Sequence, residues 1–230
     1  MGHHVLPGNP PVALILRRSA RARRISLRVS GIDGRVTLTL PRGVAERQAL
    51  QFAEEKADWL RKQLSQRPDE VLVGLGAELP VGGHPMRIVS GSGRAVRAEE
   101  GTLHVPGTPE AVPARLRAWL KARARDRLAE ASDRYADALG RRYTRLTLRD
   151  TRSRWGSCSH NGGLMYSWRL ILAPDDVLDY VAAHEVAHLA EMNHSRAFWD
   201  IVDRLKPGYD GPRRWLRDNG SSLHRYRFDD

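Results

Sequence analysis

The stretch that most narrows how this chain can fold runs from Ala173 to His194. It opens Ala173-Pro174-Asp175-Asp176. That is a good helix start, because proline pre-sets the first-turn dihedral and the carboxylates face the positive end of the helix dipole. Val177, Leu178 and Val181 follow at helical spacing, then His184 and His188, four residues apart. An i, i+4 pair puts both imidazoles on one face, with Cβ atoms about 5–6 Å apart. Two nitrogens can then reach a single ion at about 2.0–2.1 Å. Glu185 follows His184 directly and so lies beside such an ion rather than on it. There it can take a proton from a metal-bound water and pass it to a leaving group.

A lone His-Glu-x-x-His arises by chance in roughly one or two such chains per hundred, so its surroundings decide. Here the helix is signalled independently of the motif, and a further histidine follows at His194. If the helix stops near Met192, Asn193 can take the left-handed conformation that turns the chain back, and His194 approaches the ion from the side. Ser195 is then placed to cap another helix, with Ala197, Phe198, Ile201, Val202 and Leu205, which ends at Lys206-Pro207-Gly208. Glu191, three residues beyond His188, is the competing third ligand. Nothing in the spacing of His160 or His224 brings them to the ion. The pattern implies a hydrolase with one zinc ion per chain, held by His184, His188 and His194, with Glu185 as general base.

The rest of the composition is that of an ordinary globular protein: 230 residues, 41% apolar and 28% charged. The apolar run Val12–Leu16 is cut off by Arg17 and Arg18, which predicts neither signal peptide nor membrane span. A single cysteine, Cys158, allows no intrachain disulfide, and a cytoplasmic setting is expected. The net charge of +11 rests almost wholly on arginine, since only Lys56, Lys62, Lys121 and Lys206 are lysines. Clusters at Arg17-Arg18, Arg21–Arg24 and Arg141-Arg142 fit either coding bias or a basic surface that attracts nucleic acid.

Three regions are expected: a loose Gly/Pro-rich arm at 1–11, a β-rich N-terminal domain with one helix at 12–108, and a second domain at 109–230, the boundary falling near Pro106 to Pro113. Ile25, Leu27 and Val29 alternate with polar residues, as do Val36, Leu38 and Leu40, with Ile32-Asp33-Gly34-Arg35 as the hairpin turn. A helix is read from about Ala45 to Leu64, and short glycine-rich strands over 68–108. A long helix from about Pro113 to Leu139 carries the stripe Leu116, Trp119, Leu120, Leu128, Ala131, Tyr135 and Leu139 and closes at Gly140. Leu146 and Leu148 start a strand, and others follow at 155–159 and 164–172, with His160-Asn161-Gly162-Gly163 as the turn between those two.

Taken together, Arg154-Trp155-Gly156-Ser157-Cys158-Ser159, Trp168-Arg169-Leu170, Asp179-Tyr180-Val181 leading to His184-Glu185-x-x-His188, and Asn193-His194-Ser195-x-x-Phe198-Trp199 resemble the YgjP-like metallopeptidase family. Softer matches lie at Arg17–Arg21 with Ile25–Val29, at Lys56-x-x-Trp59 and at Trp215-Leu216-x-x-Asn219-Gly220. The resemblance implies an α+β fold: a compact zincin-like catalytic domain of backing helix, small twisted sheet and metal-binding helix, related to the SprT-like proteases that act near DNA. It also implies that an edge strand, here Trp155, Gly156, Ser157 and Cys158, holds an extended substrate by strand addition. The His188-to-His194 spacing equals that of metzincins. Glu191, however, stands where those enzymes use glycine, and no methionine follows His194. Tyr166, Tyr180, Tyr209 and Arg154 are candidates for stabilising an oxyanion.

Three functions compete. One is a metallopeptidase acting on peptide or protein. A second is a metal-dependent hydrolase of nucleoside triphosphates, suited by the arginines but lacking the carboxylate-rich ligands of magnesium-phosphate chemistry. The third is a nucleic-acid-binding protein with a structural zinc, opposed by an open fourth position.

Overall fold

In a computed structural model of the chain, which describes residues 2–31, 33–65 and 69–228, helix and sheet are mixed and the chain divides into two compact units, 1–69 and 70–230. The division falls at Asp69/Glu70 rather than near Pro106–Pro113, because the glycine-rich strands after residue 70 share their apolar core with the long helix that follows them.

The first unit is a four-stranded sheet with two helices. Its strands are β1 (Gly2–Leu6), β2 (Val12–Ser19), β3 (Ser26–Val29) and β4 (Val36–Pro41), in the order β1-β2-β4-β3. β1 pairs antiparallel with β2, so residues 2–6 form a strand within the expected arm, fastened by the fully buried Leu6. β3 and β4 form the expected hairpin, with Gly34 at φ 67° in its turn; Ile32 lies outside the described residues. The single helix read over 45–64 is two, α1 (Glu46–Glu55) and α2 (Ala57–Ser65), interrupted at Lys56. Val12, Leu14, Leu16, Val36, Leu38 and Leu40 alternate into one core with Ala49, Ala53 and Leu60.

The second unit begins with β5 (Val71–Leu72), β6 (Glu78–Val81), β7 (His84–Gly91), β8 (Arg97–Glu99) and β9 (Thr102–Pro106), the last four forming a sheet in the order β6-β7-β9-β8. Leu79, Ile88, Leu103 and Val105 meet Val112, Leu116 and Leu120 of α3 (Val112–Leu139). Helix α3 buries Leu116, Leu120, Ala124, Leu128 and Ala131 along one face and leaves Arg115, Arg123, Arg125 and Arg127 exposed. Gly140 ends it in the left-handed conformation, φ 67°, which a side chain would oppose.

A small sheet follows: β10 (Arg145–Arg149), β11 (Gly156–Cys158) and β12 (Gly163–Ser167), in the order β10-β12-β11, with β11 antiparallel to β12 and on the edge. The strand expected over 164–172 ends at Ser167, and Trp168–Leu172 is a 3-10 turn, all five residues buried. Then come α4 (Asp175–Ala187), α5 (Arg196–Leu205), α6 (Asp210–Asn219) and β13 (Tyr226–Arg227), which pairs with β5. α4 is packed among α3, β11, α5 and α6. Among the described residues, no helix is long and apolar enough to cross a membrane.

Candidate metal centre and cleft

Helix α4 is buried on almost every side: Val177, Leu178, Val181, Ala182, Ala183, Val186 and Ala187 are all in the core. Its ionisable residues reach the surface toward its two ends. Asp175 and Asp176 stand in its first turn and pair with Arg127 and Lys206. At the far end His184, Glu185 and His188 line a cleft of about 430 Å³ together with His194.

The three histidines converge. Each offers a ring nitrogen, and these atoms all lie within 4.8 Å of one another. The Nε2 atoms of His184 and His194 are 3.1 Å apart. Two nitrogens bound to one zinc at about 2.0–2.1 Å with a tetrahedral angle are themselves about 3.3 Å apart, so this gap has the span of a shared ion. His188 donates from Nδ1 to the carbonyl of Glu191 at 2.8 Å, a bond that fixes the tautomer and leaves Nε2 with its lone pair. His184 Nδ1 is buried with no partner.

Electrostatics suit neutral ligands. Burial, then the neighbouring His188 and His194, push His184 down to about 3. Burial lowers His188 as well, against the opposing pull of the Glu191 carbonyl. Both rings stay unprotonated at neutral pH, the form a metal requires. Aromatic groups hold them in place: His188 stacks on Phe198 with centroids 4.4 Å apart, and His194 lies 5.9 Å from Trp199. A set of imidazoles with no carboxylate fits zinc and other borderline metals rather than magnesium or calcium.

The return of the chain to His194 is made differently from the sequence expectation. α4 ends at Ala187, and Asn193 is not left-handed; among the described residues only Glu100 combines a side chain with positive φ. Instead, Asn193 Oδ1 accepts from the Ser195 backbone N–H at 2.9 Å, a side-chain turn. Ser195 caps α5 as expected, its Oγ accepting from Phe198 N–H. Glu191 stands outside the converging ligand group and serves through its backbone.

Glu185 is buried to 6% exposure, and burial pushes its carboxyl up to about 8, with the Arg154 charge pulling it back. Its side chain lies across β11 so closely that a Cβ at Gly156 would sit 2.5 Å from Glu185 Cγ and Oε1. Gly156, Ser157 and Cys158 line the cleft, whereas Trp155 turns away to pack against Gly220 and 5.2 Å from His224. The Cys158 thiol is raised to about 11, first by burial and then by Glu185, which leaves it a protonated wall residue rather than a nucleophile.

Of the four oxyanion candidates, only Arg154 lines the cleft. Tyr166 is fully buried and hydrogen-bonded to Ser132, 3.0 Å away. Tyr180 is buried and stacks on Tyr209, which stacks in turn on Trp199. One anchor escaped the sequence reading. Buried Arg169 grips Asp150 (2.7 and 3.1 Å) and the carbonyls of Leu223 and Tyr226, tying the chain before Arg154 to the C-terminal segment. Only its place beside Trp168 marked Arg169 out in the sequence.

A mixed helix-and-sheet fold with a three-histidine cluster at the end of a core helix and the turn after it is consistent with a metallopeptidase. Residues 23–219 match the family described as YgjP-like, metallopeptidase domain. That is well over half of the chain, which therefore belongs to the YgjP-like metallopeptidase family and, at family level, acts on peptide or protein with a metal that is usually zinc. No curated protein matches the sequence significantly. Among solved structures, the chain is similar to the crystal structure of the metallopeptidase zymogen of Pyrococcus abyssi abylysin, at 20% identity over 40% of this chain and 93% of that one, with a TM-score of 0.36.

Proposed function

We propose that this protein is a zinc peptidase of zincin-like architecture, with α3 as backing helix, α4 as metal-binding helix and His184, His188 and His194 as ligands of one zinc ion. The observation that carries the reading is the convergence of three imidazoles beside the buried carboxyl of Glu185. When bound, the ion supplies Lewis acidity toward water and the scissile carbonyl. Glu185 takes the proton of the attacking water and returns it to the departing amine; its carboxyl, raised by burial, is suited to both transfers near neutral pH. Arg154, the one cationic side chain among the cleft's lining residues, stabilises negative charge developing on the carbonyl oxygen. The free edge of β11 receives the extended substrate as an added strand, with Gly156, Ser157 and Cys158 alongside it.

A phosphoanhydride substrate is disfavoured by the absence of any carboxylate from the ligand group, and a structural zinc by the ligand group's opening onto a cleft. The decisive test is Glu185→Gln, which keeps the shape and removes the proton acceptor. Zinc content near wild type with peptide turnover lower by at least about 10²-fold is expected. Loss of zinc would make Glu185 a ligand, and full turnover would end its role as base.

A further inference from the structure

Beside the metal cleft lies a second cavity of about 570 Å³, and the two share His188 and Met192 as a common wall. Besides Leu189, the rest of its lining comes from two turns: Gly140-Arg141-Arg142 after α3, and Ser159–Gly162 between β11 and β12. These turns are tied together. Thr144 donates from its backbone N–H to the Gly162 carbonyl at 2.9 Å and from Oγ1 to the Asn161 carbonyl at 3.0 Å. Arg141 N–H donates back to Ala136 at the end of α3, 2.9 Å away. Arg141, Arg142 and His160 therefore project from a fixed platform.

No carboxylate lines this cavity. Asp133, close by on α3, accepts from Tyr143 Oη at 2.5 Å. Neither Arg141 nor Arg142 has an ion-pair partner among the described residues, and both are exposed. In the metal cleft, by contrast, the guanidinium of Arg154 acts on a carboxyl, that of Glu185. Two planar guanidiniums with nothing opposite them complement a carboxylate on whatever lies between them and the metal.

Direction follows from the edge strand. β11 runs from Gly156 to Cys158, and the cavity lies beyond its C-terminal end. A substrate strand added antiparallel, the more stable ladder, sets its N-terminal half there. We propose that the Arg141/Arg142/His160 cavity is a specificity subsite selecting an aspartate or glutamate on the N-terminal side of the scissile bond. This rests on the peptidase reading above and names its substrate class.

The experiment has two arms on the full zinc-loaded chain. In the first, a peptide library is cleaved and the sites are read by mass spectrometry. Acidic residues should be enriched within the first few positions N-terminal to the cut. A matched Glu/Gln peptide pair should differ roughly fivefold to tenfold in kcat/KM at low salt, shrinking as salt rises. Arg141→Glu/Arg142→Glu should invert the preference toward lysine. In the second arm, fluorescence anisotropy compares binding of labelled Glu and Gln peptides to the Glu185→Gln chain, and the double charge reversal should likewise invert the order. Cleavage with no acidic preference, a preference on the C-terminal side, or one that survives the charge reversal would overturn the subsite and leave the peptidase. Charge-selective binding that inverts in the variant, with no peptide cut by wild type, would sustain the subsite and retire the peptidase.

Discussion

Replacing Gly156 with alanine isolates the packing between strand β11 and the general base proposed here. Gly156 does not have positive φ, so its backbone accepts a side chain without strain. The obstacle is space alone: the new Cβ would meet Glu185 Cγ and Oε1 at 2.5 Å and Cδ at 2.7 Å. Carbon atoms rest about 3.5 Å apart, so the carboxyl or the strand must yield by about 1 Å. Glu185 is buried to 6% exposure and packed against the strand, so relief of the clash moves its carboxyl out of place. Overpacking of this kind costs about 1–3 kcal/mol, and a 1 Å misplacement of a catalytic group costs about 10²-fold in rate. The three atoms nearest the new methyl all belong to Glu185 rather than to the three histidines proposed as ligands. The expected result is zinc content near wild type, peptide kcat lower by about 10²-fold, and unfolding midpoints shifted by the overpacking penalty. In a Glu185→Ala background, with Cγ gone, the stability penalty of Gly156→Ala should vanish, which a double-mutant cycle in urea measures directly. A Gly156→Ala enzyme with wild-type kcat, or a penalty that persists without the Glu185 side chain, would refute the reasoning.

Two other outcomes follow from the same geometry. His194→Ala should weaken zinc affinity at least about 100-fold by competition with a chelator, beyond the range of losing an outer partner, while Glu191→Ala, whose backbone carbonyl still receives His188, should leave it nearly unchanged; the reverse order would move the ligand to Glu191. His224 is buried against Trp155 and, through burial and then Arg169, is held down to about 4. The unfolded chain, with a histidine near 6.5, binds more protons than the folded one between those values, so this contribution is complete above pH 6.5 and falls away as pH drops toward 4, by about 3 kcal/mol in all. Urea titrations of wild type and His224→Gln should therefore diverge in slope across that window, and parallel curves would show that His224 is not the group responsible.

What the sequence determined by itself was local. The i, i+4 histidines, Glu185 between them, the acidic start of α4, the stripe of α3 ending at Gly140 and the serine cap at Ser195 all depend on offsets of a few residues, and helical periodicity converts such offsets into a shared face. The convergence of His194 was legible too, although its turn is made by the Asn193 side chain rather than by a left-handed backbone. Tertiary structure decided what depends on partners far along the chain. Residues 2–6 become a strand only because β2 offers its edge, and the 70–106 segment joins the second unit because its apolar side chains find α3. Trp168–Leu172 leaves its expected strand for a buried 3-10 turn, which no periodicity announces. Tyr166, a fair oxyanion candidate by residue type, is bonded away to Ser132, 34 positions earlier. Gly156 must be glycine because of Glu185, and Arg141 and Arg142 line the cavity beside the cleft because Thr144 fastens their turn to the one after β11. Each of these contacts closes a loop of many residues, and only the packed core specifies which loops close.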